Sequence, residues 1–395
     1  MTPDLSLPSP GLPLRVGTVV VGGGQAGLAV GQQLAARGQD FIILDAEPRP
    51  GEAWRRRWDS LRLFTPAAYS GLPGLPFPAA PMHLPTREEV ADYLARYASH
   101  FALPIQHDTR VESVTRTDDG ARFVVRAGGA RGSVVEADQV VVATGPFHRP
   151  AVPPVAAALA PEIVQLHSSA YRRPSDLPDG PALVVGAGNS GAQIALELAA
   201  TRTVWLAGRD TGHLPRRLLG RDLFQWTWPL MTRATVDTTL GRRLRARARR
   251  QGDALIGIPE RALREAGVVR VGRVEAAQGG LPVAGAGAGR AGGPGDVLRP
   301  AAVVWCTGFR PDFGWIDLPV LDAWGLPRHR RGVAADVHGL YFVGLRFQHR
   351  MTSALLGGVG ADAAFVAQQV AERAAARAGA APGPPAGARA RVIAA

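Results

Sequence analysis

The chain has 395 residues, 46% of them hydrophobic and 20% charged, which is long enough for two domains with cores of their own and within the globular range. No run of 18 uncharged apolar residues is present to span a bilayer, and the proline-rich start, 1–15, lacks the basic and apolar regions of a signal peptide. The formal charge is +12, from 45 basic and 33 acidic residues, and with no lysine in the sequence arginine carries it. A nucleic-acid reading needs that charge on one face of a recognisable module, and none is present. The dense run Arg242–Arg250 reads as a solvated helix face or as a surface for an anionic membrane or partner. Cys306 is the only cysteine, which excludes an intrachain disulfide and a Cys-x-x-Cys pair and suits a reducing cytoplasm.

Residues 1–15 read as a flexible lead-in. Val19–Val21 is a buried strand, and Gly22, Gly24 and Gly27 follow in G-x-G-x-x-G spacing before a helix over Leu28–Arg37. Glycines so placed permit a tight turn, close approach of backbone to a pyrophosphate and close packing of helix on sheet, with the helix N-terminus offered to the phosphates. The next strand, Phe41–Leu44, ends in Asp45, 23 residues after Gly22, where a carboxylate suits a ribose diol and repels a 2′-phosphate. Arg49–Trp58 follows directly and should pass near the bound dinucleotide. Ser70–Pro85 is a proline-studded loop. Thr86 and Glu89 fit a capping box for a helix to Phe101, with Val90, Tyr93, Leu94, Tyr97 and Phe101 on one face. Residues 109–140 alternate as β-hairpins with turns at Asp118–Gly120 and Gly128–Gly129. The strand Gln139–Ala143 closes on Thr144–Gly145–Pro146.

The opening pattern then returns. Ala182–Val185 is a strand, Gly186, Gly188 and Gly191 repeat the spacing, Ala192–Ala200 is the helix and Thr203–Leu206 the following strand. Two such units imply two dinucleotides. Arg209 lies 23 residues beyond Gly186, the offset of Asp45 from Gly22 with the sign reversed. A guanidinium there suits a 2′-phosphate; the bland alternative is a surface arginine after a strand. Pro215–Gln251 carries Phe224–Pro229, read as core packing or a substrate entrance, and then the arginine run. Gly279–Gly295 reads as a mobile surface loop. Ala302–Phe309 is a strand ending in a second Thr-Gly, Thr307–Gly308. Leu340–Gly344 is another strand, and Ala354–Gly360 opens a helix to about Ala376, with Gly357, Gly358 and Gly360 offering bare N–H groups to negative charge on a bound cofactor. The two Thr-Gly strand ends bracket the second unit, which is therefore inserted in the first: 16–148 with 306–376 forms one domain, 149–305 the other, and 377–395 a disordered tail.

These residues resemble the class B flavin-dependent monooxygenases, in particular bacterial CzcO-like oxidoreductases near the plant YUCCA enzymes, over about residues 16–375. The carriers are Gly22-x-Gly24-x-x-Gly27, Trp54–Arg55-x-Arg57–Trp58, Ala143–Thr144–Gly145, Gly186-x-Gly188-x-Ser190–Gly191 and Thr307–Gly308–Phe309–Arg310–Pro311. The family pattern F-x-G-x-x-x-H-x-x-x-Y/F falls on Pro161 to Tyr171; His167 and Tyr171 match, while Pro161 and Ile163 replace the Phe and Gly. Phe64 stands where some relatives carry Asn or His, and Gly344–Leu345 where many carry Gly-Asp.

The resemblance implies an α/β fold with two Rossmann-like dinucleotide-binding domains, the NADPH domain inserted in the FAD domain. For FAD it implies Gly22, Gly24, Gln25, Ala26, Gly27, Asp45, Ala46, Trp54, Arg55, Thr65, Val111, Thr144, Gly145 and Leu356. For NADPH it implies Gly186, Gly188, Asn189, Ser190, Gly191, Arg209, Arg216, Thr307 and Gly308. The implied activity is NADPH reduction of FAD, reaction with O2 to a C4a-(hydro)peroxyflavin, and insertion of one oxygen atom into a small lipophilic substrate. His167, Tyr171 and Phe64 are the catalytic candidates, and no metal is implied. Two other readings stand beside this one: an NADPH-dependent flavin reductase or oxidase without oxygen transfer, and a non-catalytic nucleotide-binding flavoprotein. A disulfide reductase is excluded by the single cysteine. The implied partners are the small-molecule substrate and O2, without nucleic acid or a transmembrane segment, in the cytoplasm. The oligomeric state is open, with a homodimer among the options.

Overall fold

A computed structural model describes residues 14–128, 133–251, 254–285 and 295–380. The readings that fall on 1–13, on Gly129, on 286–294 and on 381–395 lie outside the described residues.

Strand β1 (Leu14–Val21) sits in the interior of a mixed sheet, parallel to β2 (Phe41–Leu44) on one side and to Ser133–Val142 on the other. Val19, Val20 and Val21 are all buried, as expected of consecutive β-branched residues in a strand covered on both faces. The sheet runs His329–Arg330, Val333–Ala334, Leu340–Phe342, Ser133–Val142, β1, β2, Ile105–Gln106. Ser133–Val142 is long enough to serve twice along one edge. Its first half pairs antiparallel with Phe123–Gly128, and its second half runs parallel to Leu340–Phe342. Helix α1 (Gln25–Ala35) lies on this sheet and packs against the C-terminal helix Gly360–Ala380. That helix covers 377–380, four residues expected in the tail.

The capping box is formed in full. Thr86 Oγ1 accepts from Glu89 N at 3.2 Å, and Glu89 Oε2 accepts from Thr86 N at 2.7 Å. The helix Arg87–His100 buries Val90, Tyr93, Leu94 and Tyr97, the face that its 3.6-residue period marks out.

The second sheet is wholly parallel, in the order Val268–Val271, Val204–Ala207, Ala182–Val185, Ala302–Trp305, Val164–His167, with the helix Asn189–Ala199 packed on it. The chain leaves the first sheet after Val142 and returns to it after Trp305. The two crossing segments pair antiparallel, Arg149 with Arg310 and Pro150 with Phe309. One apolar cluster runs from Val20, Leu28 and Ile43 through Tyr171 to Val184, Ile194 and Leu206, so both sheets share it.

Two segments differ from their sequence reading. Leu281–Ala284, expected in a loop, is a strand paired antiparallel with Val274–Gln278 across a Gly279–Gly280 turn. Both glycines have positive φ, the conformation a two-residue hairpin turn demands. Asp222–Gln225 forms a second capping box at the head of a helix over Leu223–Arg233, which places Phe224–Trp228 on its first turns.

Candidate functional site

The two glycine turns have the same construction. Gly22 and Gly186 take φ of +103° and +111°, open to glycine at little cost. A Cβ on Gly27 would overlap the Gly22 carbonyl, and one on Gly191 the Gly186 carbonyl, so each helix sits directly on its turn. The strand behind each turn matches as well: Gly22 backs onto Ala143, and Gly186 onto Cys306. Cys306 is thus the counterpart of Ala143, a small residue before a Thr-Gly, and burial pushes its thiol up to about 12. Gly24 and Gly188 cap the two helices in extended conformation, and a Cβ on either would meet no atom within 4 Å. Bare helix N-termini with open space before them are cradles for a pyrophosphate.

The strand ends do not align as the residue count suggests. Val21 pairs with Leu44 and Val185 with Ala207, so Gly208, not Arg209, is the counterpart of Asp45. The connection from helix to strand is one residue shorter in the second unit. Asp45 is buried against Gly23. Burial raises its pKa, against backbone amides of Gly23, Glu47 and Ala46 that hold it down. Gly208, with φ of +142°, is strained for any side chain, and a Cβ there would lie only 3.0 Å from Ala187 N. Arg209 is the next side chain and is exposed. Its position is that of Ala46 in the first unit. Arg270, absent from the sequence reading, reaches the same strand end and donates to Gly208 O at 3.4 Å. It sits on the neighbouring strand opposite Leu206, a juxtaposition that only the sheet order reveals.

The second unit touches the first through Arg62–Phe64. Gln193, on the first turns of the second helix, donates to Arg62 O at 3.1 Å and accepts from Arg62 N at 3.4 Å. Arg216 donates to Phe64 O and pairs with Asp222 at 2.6 Å. The Phe64 ring stacks on Phe224 at 6.3 Å, and Tyr69 meets Trp228 at 5.0 Å. A cavity of about 440 Å³ opens here, lined by Tyr69, Leu72, Leu75, Pro76, Trp228 and Gly357. Thr65, next to Phe64, is buried, its hydroxyl 3.1 Å from that of Ser70. Gly357 is glycine because a Cβ would overlap the Tyr69 carbonyl; Gly358 and Gly360 likewise abut Thr352 and Pro73.

A histidine holds each Thr-Gly crossing. His167 Nδ1 accepts from Ser169 N at 3.2 Å, so Nε2 carries the proton and donates to Gly308 O at 2.9 Å. His148 Nδ1 accepts from Asp312 N at 2.7 Å, so Nε2 donates to Thr144 Oγ1 at 3.1 Å. Thr307 Oγ1 donates to Ala151 O at 2.6 Å. Tyr171 is fully buried, and its hydroxyl donates to Glu197 at 2.8 Å; burial and that carboxylate hold the phenol far above its usual range. Tyr171 is thereby a core contact between crossing and helix.

Burial lowers the pKa of four histidines, His148, His167, His349 and His329, the last to about 4. The folded state favours their neutral form. As pH falls below about 6.5 the unfolded chain therefore takes up protons first, and stability present above that pH is lost. From His329 alone the loss reaches about 2 kcal/mol by pH 5. Thermal melts followed by circular dichroism between pH 7.5 and 5 should show the midpoint falling by about 4–8 °C. Asp45, Glu47 and Asp362, raised by burial, act in the opposite direction, so His329→Gln isolates the histidine part. It should lessen the fall by about 2 kcal/mol at pH 5, and a variant that loses stability with pH as wild type does would contradict the neutral assignment.

The remaining candidates are placed as follows. Gln25 donates to Ala354 O at 3.0 Å, joining α1 to the loop before the last helix. Ala26 is buried against Gly344, and Leu356 is in the core. Trp54 packs on that core, and Arg55 pairs with Asp92 at 2.7 Å. Arg87 and Arg172 both donate to the carbonyls of Arg55 and Arg57, tying this turn from two sides. Val111 is half-buried at the edge of the first sheet's outer core. Asn189 clamps a neighbouring strand, donating to Ala254 O at 3.1 Å and accepting from Ile256 N at 2.9 Å. Ser190 and Gly145 sit at the two turns, half-buried. Arg57 lies 5.5 Å from the Phe309 ring centroid, beside a cavity of about 190 Å³ at the crossings. Among the described residues no group of three or more His, Cys, Asp or Glu is placed to hold a metal.

Comparison with known proteins places this geometry among relatives. Residues 19–219 match the family model described as pyridine nucleotide-disulphide oxidoreductase. A CzcO-like oxidoreductase of Geobacillus kaustophilus is 40% identical over 359 residues, covering 90% of this chain and 98% of the relative. The indole-3-pyruvate monooxygenase YUCCA4 of Oryza sativa is 34% identical over 241 residues, 56% of this chain and 54% of the relative. The solved flavin-containing monooxygenase of Stenotrophomonas maltophilia matches with a TM-score of 0.72 at 30% identity, covering 91% of this chain and 99% of that one.

Proposed function

The chain belongs to the pyridine nucleotide-disulphide oxidoreductase family, within its class B flavin monooxygenases, whose cofactors are FAD and NADPH; from that premise we propose that it inserts one oxygen atom of O2 into a small lipophilic substrate bound in the cavity that Tyr69 and Trp228 line. The observation that carries this reading is the pair of matching phosphate turns, joined through Arg62–Phe64 beside an aromatic-lined cavity. FAD reduced by NADPH supplies the oxygen activation when bound.

The chain's own residues then bind, orient and exclude water. Gly22–Gly27 and Asp45 hold FAD by its pyrophosphate and ribose, and Gly186–Gly191 with Arg209 hold NADPH. Arg216 is committed to Asp222 and to the Phe64 carbonyl, so we assign it to joining the two units rather than to the 2′-phosphate. Phe64, Phe224 and Trp228 form an apolar wall that keeps water from the reacting centre. His148 and His167 set the crossings, and with them the angle between the two nucleotide units. Disulfide chemistry has no partner thiol for Cys306.

One observation favours a second reading, a flavin reductase or oxidase. Phe64 offers the site no side-chain hydrogen-bond donor, and its carbonyl is taken by Arg216. Turnover with methyl phenyl sulfide under 18O2 separates the two. Labelled sulfoxide in proportion to NADPH consumed is the expected result. Peroxide in that proportion, with the thioether recovered unchanged and no labelled sulfoxide, would establish the oxidase instead.

A further inference from the structure

The segment 213–251 contains ten arginines and two aspartates, a net +8 of the chain's +12. It also carries a cluster of bare apolar side chains. Arg217–Leu218 and Arg221–Asp222 form a hairpin whose tip is Leu219–Gly220. Leu219 is 84% exposed and sits in the left-handed region at φ +50°, a conformation that costs a leucine energy. Leu218, Trp226 and Leu230 are exposed as well. They share a face with the tip: Trp226 Nε1 donates to Leu218 O at 3.2 Å, the Arg221 guanidinium lies 5.3 Å from the Trp226 ring, and Leu230 follows Trp226 by one helical turn.

We propose that this surface docks on an anionic phospholipid bilayer, with Leu218, Leu219, Trp226 and Leu230 entering the headgroup boundary and the flanking arginines meeting lipid phosphates. Charge complementarity alone would also suit a nucleic acid, but a phosphate backbone offers nothing to four protruding apolar side chains. A bilayer takes both parts at once. Among the described residues no helix is long and apolar enough to cross a membrane, so the mode is adsorption. The opposite side of the same helix presents Trp228 to the 440 Å³ cavity. Docking here would set that cavity beside the phase in which lipophilic molecules dissolve.

The test is co-sedimentation of the flavin-loaded protein with vesicles of equimolar phosphatidylglycerol and phosphatidylcholine, against phosphatidylcholine alone, at low and high salt. Binding is expected to the anionic vesicles only, weakened by salt. Leu219→Asp should weaken it at least tenfold. Each arginine at the surface is worth about fivefold in partitioning, so Arg217→Glu with Arg221→Glu, the two arginines of the hairpin itself, should weaken it more than a hundredfold. Bound flavin and an unchanged melting temperature report that each variant is folded; Leu219→Ser replaces Leu219→Asp where that control fails. Absence of binding to anionic vesicles at low salt would overturn the proposal. So would Leu219 variants that bind as wild type. Binding of a DNA duplex as tight as that of vesicles, indifferent to Leu219, would overturn it in favour of a nucleic acid.

Discussion

Gly188→Val is expected to give a folded, yellow protein that NADPH no longer reduces. Gly188 caps the second phosphate helix at φ −83° and ψ −171°, extended backbone that valine adopts readily. A Cβ there meets no protein atom within 4 Å, so the fold loses only the N-cap preference of glycine over valine, about 1 kcal/mol. The space it would fill is the approach of a pyrophosphate to the bare N–H groups of the helix. Blocking that approach should lower the efficiency of anaerobic flavin reduction by two orders of magnitude or more, about 3 kcal/mol of lost binding. The melting temperature should move little. Gly191→Ala is the contrasting variant. Its Cβ would overlap the Gly186 carbonyl, so the helix must lift from the strand and the loss appears in stability first. Wild-type reduction of Gly188→Val would place the dinucleotide elsewhere.

That contrast also marks how far the chain could be read before its structure. The glycine turns, buried strands and Thr86–Glu89 capping box follow from local rules: spacing, period and side-chain chemistry within a few residues. The register at Arg209 did not, because counting along the chain is blind to the length of the helix-to-strand connection. Leu281–Ala284 carried its own signal, a Gly-Gly pair between two alternating stretches, masked by the glycine and alanine that follow. Leu223–Arg233 was legible in principle from Asp222 and Gln225, but Pro229 inside it argues against a helix. His148 and Arg270 could not be found at all from spacing. Each acts on a residue far away in the chain, Asp312 and Gly208 respectively, and only the folded topology brings them there.

Arg209→Ala should cost NADPH far more than NADH. The argument rests on the strand end. Gly208 occupies the place of Asp45 and carries no side chain, so the carboxylate that would repel a 2′-phosphate in the first unit has no equivalent in the second. Arg209 is the first side chain past that point, and it projects from an exposed position. A charge-assisted hydrogen bond to phosphate contributes about 1.5–3 kcal/mol, so kcat/KM for NADPH should fall about 10- to 150-fold while that for NADH changes less than about threefold. Arg270 is the residue to examine beside it. Burial lowers its pKa, Glu260 and Asp210 act in the opposite direction, and its guanidinium already reaches Gly208 O. If it shares the phosphate, Arg270→Ala lowers NADPH efficiency alone and the double variant uses both nicotinamides equally. Equal losses with both nicotinamides in Arg209→Ala would instead mean that the side chain supports the strand end and does not read the 2′-phosphate.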